Sequence, residues 1–278
     1  MLGDQKVNPE EMGGARAMKK VLPSLLNFSL GALLVLILWQ VAHLIFNINV
    51  LPSPFVVFGQ LPTLFNQEML IHVYHSIYRV FMALFFSMLI GLLLGVAAAG
   101  KNIFSRVLTS FLYFTYPIPR VALLPAVLLI FGLSDLSKVI MITLIVVYPI
   151  IIVVRDSVKD IPKEIFNTLI CHGADRLQIF IYVTLPWAFS SILSTARISL
   201  GTAMSILFFT EAYGARRGMG FFILDSWMRL NYVDMYGGIV ILSIVGFVLF
   251  IMIDILEGFV LKWKEATNDD HTQNRIVS

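Results

Sequence analysis

Long apolar runs dominate this sequence and decide what it can fold into. They cover residues 25–46, 72–99, 104–131, 139–154, 187–212 and 235–260. A helix needs about 20 mostly apolar residues to cross the hydrocarbon of a bilayer, and only helices or closed barrels satisfy their backbone there. The runs therefore predict an all-α membrane protein of about six transmembrane helices. Charge content agrees: 13% of the 278 residues are charged, against about 25% in an ordinary soluble domain. Such a chain has no room for a separate soluble catalytic domain.

The segments between the runs set the organisation. Residues 1–22 are expected to be a cytosolic leader, 23–263 a transmembrane domain and 264–278 a cytosolic tail. The first run is too long for the core of a signal peptide and lacks a small-residue cleavage site. It reads as a retained helix, with Trp39 and His43 towards its far end. Residues 47–54 form a Pro-rich break, and 55–65 an amphipathic interfacial helix. Pro117, Pro119 and Pro125 break the third run. Residues 132–138 read as a tight loop and 214–234 as a loop rich in Gly and Arg.

Lysines and arginines set the orientation. With the N-terminus in the cytosol, that side holds Lys6, Arg16, Lys19, Lys20, Lys101, Arg106, Arg155, Lys159, Lys163, Arg176, Lys262, Lys264 and Arg275. The other side holds Lys138, Arg216, Arg217 and Arg229. Both termini and the polar segment at 155–185 are thus expected to face the cytosol. The same bias accounts for the net charge of +3 without any nucleic-acid partner. The single cysteine, Cys171, cannot form an internal disulfide.

The segment at 156–186 reads as two short helices around a glycine. Asp160 is expected to cap the first, with Pro162 in its first turn, where a missing N–H costs nothing. Gly173 can end it in a left-handed conformation. Asp175 can cap a second helix reaching about Val183, and Leu185-Pro186 is expected to turn the chain into the fifth span. The apolar residues Ile165, Leu169, Ile179 and Phe180 need cover, either from a cytosolic partner or from the chain's own bundle.

Gly173 followed after nine residues by Val183, Thr184, Leu185 and Pro186 resembles the signature loop of ABC (ATP-binding cassette) importer permeases. Asn167-Thr168-Leu169 stands where that signature has Glu-Ala-Ala. Leu51-Pro52-Ser53-Pro54, Ser76-Ile77-Tyr78-Arg79, Pro117-Ile118-Pro119 with Leu124-Pro125, Phe131-Gly132 with Ser137-Lys138, and Gly218-Met219-Gly220 extend the likeness over about 51–263. Together they are similar to the nitrate/sulfonate/taurine branch. The resemblance implies a type I importer permease fold in the bacterial inner membrane, with ATP and Mg on a separate ATPase and no cofactor in this chain. It also implies a second permease, forming a homodimer, and an extracytoplasmic binding protein docking near 214–234. Leu169, Gly173, Ala174, Asp175, Val183, Leu185 and Pro186 would form the coupling loop. The substrate would be a small polar solute: a nitrate-, sulfonate- or taurine-like anion, or a vitamin precursor. The alternative, a secondary transporter or channel needing no ATPase, would more often show internal repeats with matched broken helices, and none is evident.

Ionisable residues inside spans usually face a cavity, a partner or another charge. Arg79, Tyr116, Arg120, Arg197 and Glu211 are therefore candidates for the translocation path. Arg197 is equally a candidate for an interhelical tie, and Glu211 for pairing with Arg216 or Arg217. Asp254 and Glu257 are expected to pair with Lys262 or its neighbours. Gly95 to Asn102 nearly spells a phosphate-binding loop, but Asn102 replaces the Ser/Thr and the glycines end a membrane helix. Gly91 and Gly95 suit close helix contact instead. No HExxH, CxxC or GxSxG pattern occurs, so neither a metal site nor a catalytic site is expected.

Overall fold

The computed structural model describes residues 29–260. The expected leader and tail, and the start of the first span, lie outside the described residues.

Helix α1 (Ser29–Phe46) is apolar and buries none of its residues. Its end is hooked to the Pro-rich break. The Trp39 indole N–H donates to the Pro52 carbonyl (3.1 Å), and the His43 Nδ1 meets the Leu51 carbonyl (2.7 Å). Helix α2 (Pro54–Leu64) starts at a Ser53 cap with Pro54 in its first turn, the place a helix tolerates proline. It packs on the last helix, α11 (Tyr232–Val260).

Three long helices make the core: α3 (Gln67–Ala99), α6 (Asp135–Lys159) and α9 (Leu185–Gly214). Helix α6 lies between the other two and packs on both. The Gly91/Gly95 pair sits in the α3–α6 seam. A methyl group on Gly95 would come within 2.6 Å of the Val154 side chain, so the backbones meet where the sequence spacing predicted.

The third span is not one kinked helix. Helix α4 (Ile103–Thr115) stops, a short 3₁₀ turn (Arg120–Leu123) follows, and α5 (Leu124–Phe131) leaves at 90°. Pro117 and Pro119 cannot donate backbone bonds, so the ladder fails between Thr115 and Arg120. Among the described residues, five helices are long and apolar enough to cross a membrane, or six with this bent pair as one span. Helix α6 begins earlier than its hydrophobic run. Ser134 precedes it in extended backbone, and Asp135 lies in the first turn, where a negative charge suits the helix dipole. Lys138 is therefore a buried helix residue and not part of a loop.

The polar segment folds as a helix–glycine–helix knuckle with two departures from expectation. Asp160 closes α6, its N–H bonded to the Asp156 carbonyl (2.9 Å). Pro162 takes the cap position of α7 (Lys163–Cys171). Gly173 then adopts φ +82°, a left-handed conformation that glycine reaches without a Cβ clash. The Ala174 N–H closes on the Leu169 carbonyl (3.0 Å). Asp175 and Gln178 form a reciprocal capping box for α8 (Arg176–Ile179). The second departure is at Leu185-Pro186, where the chain does not turn. A wide π-helical turn (Phe180–Thr184) carries α8 into α9, with Pro186 in α9's first turn. The wider turn loosens the ladder just where the proline ring would press on an upstream carbonyl.

The expected loop at 214–234 is largely a helix, α10 (Met219–Met228). It buries Met219, Gly220, Ile223 and Ser226. Its residues are as apolar as a span but too few to cross.

Candidate functional site

His72, Ser76 and Arg79 share one face of α3, at helical spacing. They meet Glu211 near the end of α9, Asp135 at the start of α6, and the backbone entering α10. The Arg79 guanidinium donates from Nη1 to Glu211 Oε1 (2.6 Å) and to the Arg217 carbonyl (2.8 Å). Its Nε and Nη2 donate to Asp135 Oδ1 (2.9 and 2.5 Å). Arg79 is 3% exposed and Glu211 0%. Burying such charges is costly unless they are paired and hydrogen-bonded, and here both conditions hold.

The first turn of α10 has no side-chain cap of its own, so its free N–H groups are taken by other helices. Gly218 N–H donates to His72 Nδ1 (3.0 Å), Met219 N–H to Ser76 Oγ (2.8 Å) and Gly220 N–H to Glu211 Oε2 (2.8 Å). The Ser76 hydroxyl also contacts both Glu211 oxygens (2.9 and 2.8 Å). Gly218 has φ +128°, and a methyl group there would lie 2.6 Å from Arg79 Nη1. On Gly220 it would lie 2.6 Å from the Phe208 carbonyl. The Gly218-Met219-Gly220 pattern thus exists because the backbone must lie against this buried cluster. Lys138 is buried beside it. Its ammonium makes no hydrogen bond among the described residues, and Asp135 and Glu211 offset its repulsion from Arg79. Arg79 and Lys138 thus face two carboxylates, Asp135 and Glu211.

Glu211 therefore pairs with Arg79, not with the side chain of Arg216 or Arg217. Those two arginines line a cavity of about 430 Å³ with His75, Arg79 and Asp135. A second cavity, about 490 Å³, lies beside it between the α2–α3 turn and α10. Both open at the end of the bundle away from the knuckle.

Arg197 is the other interhelical tie. Its guanidinium pairs with Asp254 and Glu257 of α11, and Ser194 donates to Glu257 (2.7 Å). The two acids thus pair with a residue of the neighbouring helix, and their expected partner Lys262 lies outside the described residues. Tyr116 and Arg120 sit at the break of the third span. The Arg120 guanidinium lies over the Tyr148 ring (3.5 Å to its centroid) and farther from the Tyr116 ring (5.9 Å).

In the knuckle, α7 and α8 bury none of their residues. Leu169 is half-buried, whereas Ile170, Leu177 and Phe180 are exposed. Gly173, Ala174 and Asp175 form the bend, and Val183, Leu185 and Pro186 the base of α9.

Sequence reasoning singled out Arg79 and Glu211 as path candidates, named Ser76 and Lys138 only within family motifs, and gave no role to His72 or Asp135. One signal was present: three polar residues at 72, 76 and 79 along one face of an apolar helix.

Residues 87–263 match the family described as binding-protein-dependent transport system inner membrane component. The taurine transport system permease protein TauC of Escherichia coli is 29% identical over 244 residues, covering 84% of this chain and 89% of that one. SsuC of Bacillus subtilis, named for aliphatic sulfonates transport, is 27% identical over 237 residues, covering 84% and 85%. Among solved structures, a bacterial ABC transporter involved in alginate import has a chain that superimposes with a TM-score of 0.61. Its identity is 16%, over 89% of this chain and 100% of that one. The long apolar helices, the arrangement they share with a solved importer and a family match over more than half of the chain agree: this chain belongs to the binding-protein-dependent transport system inner membrane components, the permease subunits of ABC importers.

Proposed function

We propose that the chain forms half of an alternating-access path for a small sulfonate-like anion, driven by an ATPase docked on the knuckle. The observation that carries this reading is the knuckle itself. Its bend is fixed internally by Gly173 and by the Asp175–Gln178 capping box. Yet α7 and α8 bury no residue fully, and the apolar Ile170, Leu177 and Phe180 stay exposed to solvent. An ordered, apolar, uncovered element is a docking surface. Leu169, Gly173, Ala174 and Asp175 would meet the ATPase, which carries ATP and Mg. Val183, Leu185 and Pro186 would pass its motion into α9.

The names of TauC and SsuC support a sulfonate-type substrate. The bias of lysines and arginines supports a cytosolic knuckle and cytosolic termini. An extracytoplasmic binding protein would deliver substrate near the cavities beside α10, and a second copy of the chain would complete the path. Arg79 and Glu211 then act as an outer latch and Arg197 as an inner tie, while Tyr116 and Arg120 face the path.

Gly173→Leu tests the coupling role. A left-handed conformation costs a residue with a Cβ about 1–2 kcal/mol, enough to shift the bend without touching the spans. Expected are normal insertion, weakened co-purification of the ATPase, and uptake reduced about tenfold. Normal uptake by this variant would remove the knuckle from the mechanism.

A further inference from the structure

The buried and half-buried arginines are not alike. Arg79 is neutralised by Asp135 and Glu211, Arg155 by Asp156, and Arg197 by Asp254 and Glu257. Arg120 meets no carboxylate among the described residues. Its contacts are the Tyr148 ring, the Tyr116 ring, and the Thr115 and Tyr116 carbonyls, each 3.5 Å from Nη2. A guanidinium has five donors, and the remaining ones find no partner among the described residues.

Depth makes this costly. Tyr148, under the guanidinium, is near the middle of α6. About 17–20 Å of helix separates it from either end, at about 1.5 Å per residue. An arginine cannot reach water across that distance by extending its side chain. An unpaired charge so deep faces a cavity or an absent partner. The break at Pro117 and Pro119 fits, because irregular backbone at this depth is tolerated where it lines a cavity. Tyr116 beside it is 61% exposed.

We infer that Arg120, held face-on by Tyr148 and flanked by Tyr116, is a binding step for an oxyanion midway through the path. The chemistry suits sulfonate. A planar fork presents two parallel N–H donors to two oxygens of one anion. The rings orient the guanidinium through cation–π attraction without cancelling its charge, so its donors stay available. One charge with no second cation beside it also binds weakly enough to release. The inference rests on the transport reading above and supplies the site at which the anion is held.

The test uses the whole chain in phosphatidylcholine nanodiscs, with trifluoromethanesulfonate as probe, read by ¹⁹F line broadening. Broadening is expected with the native chain. Arg120→Gln should weaken binding about tenfold or more, the loss of one charge-assisted hydrogen bond. Arg120→Lys should fall between. Arg120→Gln should melt at the same temperature as the native chain, which separates ligand binding from a general loss of fold. Arg229→Gln, an exposed arginine paired with Asp225, should bind normally. Equal binding by Arg120→Gln, equal loss in Arg229→Gln, or no binding by the native chain would overturn the assignment. No ATPase or binding protein is needed, so a failed titration leaves the coupling role standing. Equally, a failed co-purification leaves the titration readable.

Discussion

Glu211 shows how much a single side chain can organise in a bundle like this one. Its carboxylate takes a guanidinium from α3, a hydroxyl from α3 and the first-turn N–H of α10. Such a buried pair adds little net stability over an apolar replacement, but breaking it leaves a charge without compensation, at about 3–5 kcal/mol. Glu211→Leu should therefore lower the thermal transition of the detergent-purified chain. The double variant Arg79→Met with Glu211→Leu should recover much of the loss. A double variant that melts below the single one would mean that Arg79 finds adequate charge balance in Asp135 alone. That Glu211 is important was legible in the sequence, because a carboxylate near a span is expensive. Its partner was not. Arg79 lies 132 positions away, while Arg216 and Arg217 lie within two turns of helix, and only the packing of α3 on α9 decides between them.

Helices reveal the same division between local and tertiary information. The positions of α3, α9 and α11 were readable as apolar runs, and each helix runs past the roughly 20 residues that span the hydrocarbon. The α3–α6 seam was readable too, from Gly91 and Gly95. Overpacking a close contact costs about 1–3 kcal/mol, so Gly95→Leu should reduce the folded yield and melting temperature, whereas Gly59→Leu should not. A methyl group on Gly59 meets nothing within 4 Å. An unchanged melt for Gly95→Leu would show that the seam can open freely. The start of α6 and the existence of α10 were not readable from hydropathy. Lys138 and Asp135 interrupt the apolar pattern of α6, and α10 is too short to register as a span. Both depend on the charge cluster that makes polar residues tolerable there. The join at Pro186 was misjudged for a related reason. A proline after a polar segment signals a turn, but the wide turn at 180–184 lets the helix pass through it.

At the scale of the whole molecule, the chain is a multi-pass inner-membrane protein built around three long helices. Its one cysteine reports on how it sits. Cys171 is exposed and closes α7 in the knuckle. A membrane-impermeant maleimide should label it in inside-out vesicles and not in right-side-out ones. Bound ATPase should slow the labelling. Labelling from the outside only would reverse the proposed orientation.

The absence of a joint between α8 and α9 has a mechanical consequence. Residues Arg176–Gly214 form one rod of 39 residues, about 58 Å long at about 1.5 Å per residue. One end is the capped tip at Asp175, and the other carries Glu211. With the ATPase docked on the knuckle as proposed, a rod pivoting in the bundle would move its two ends in opposite directions, so a push on the tip would arrive at the far end as a pull on the Gly218–Gly220 backbone. The stiffness of the wide turn at 180–184 would then set how faithfully that stroke is passed on.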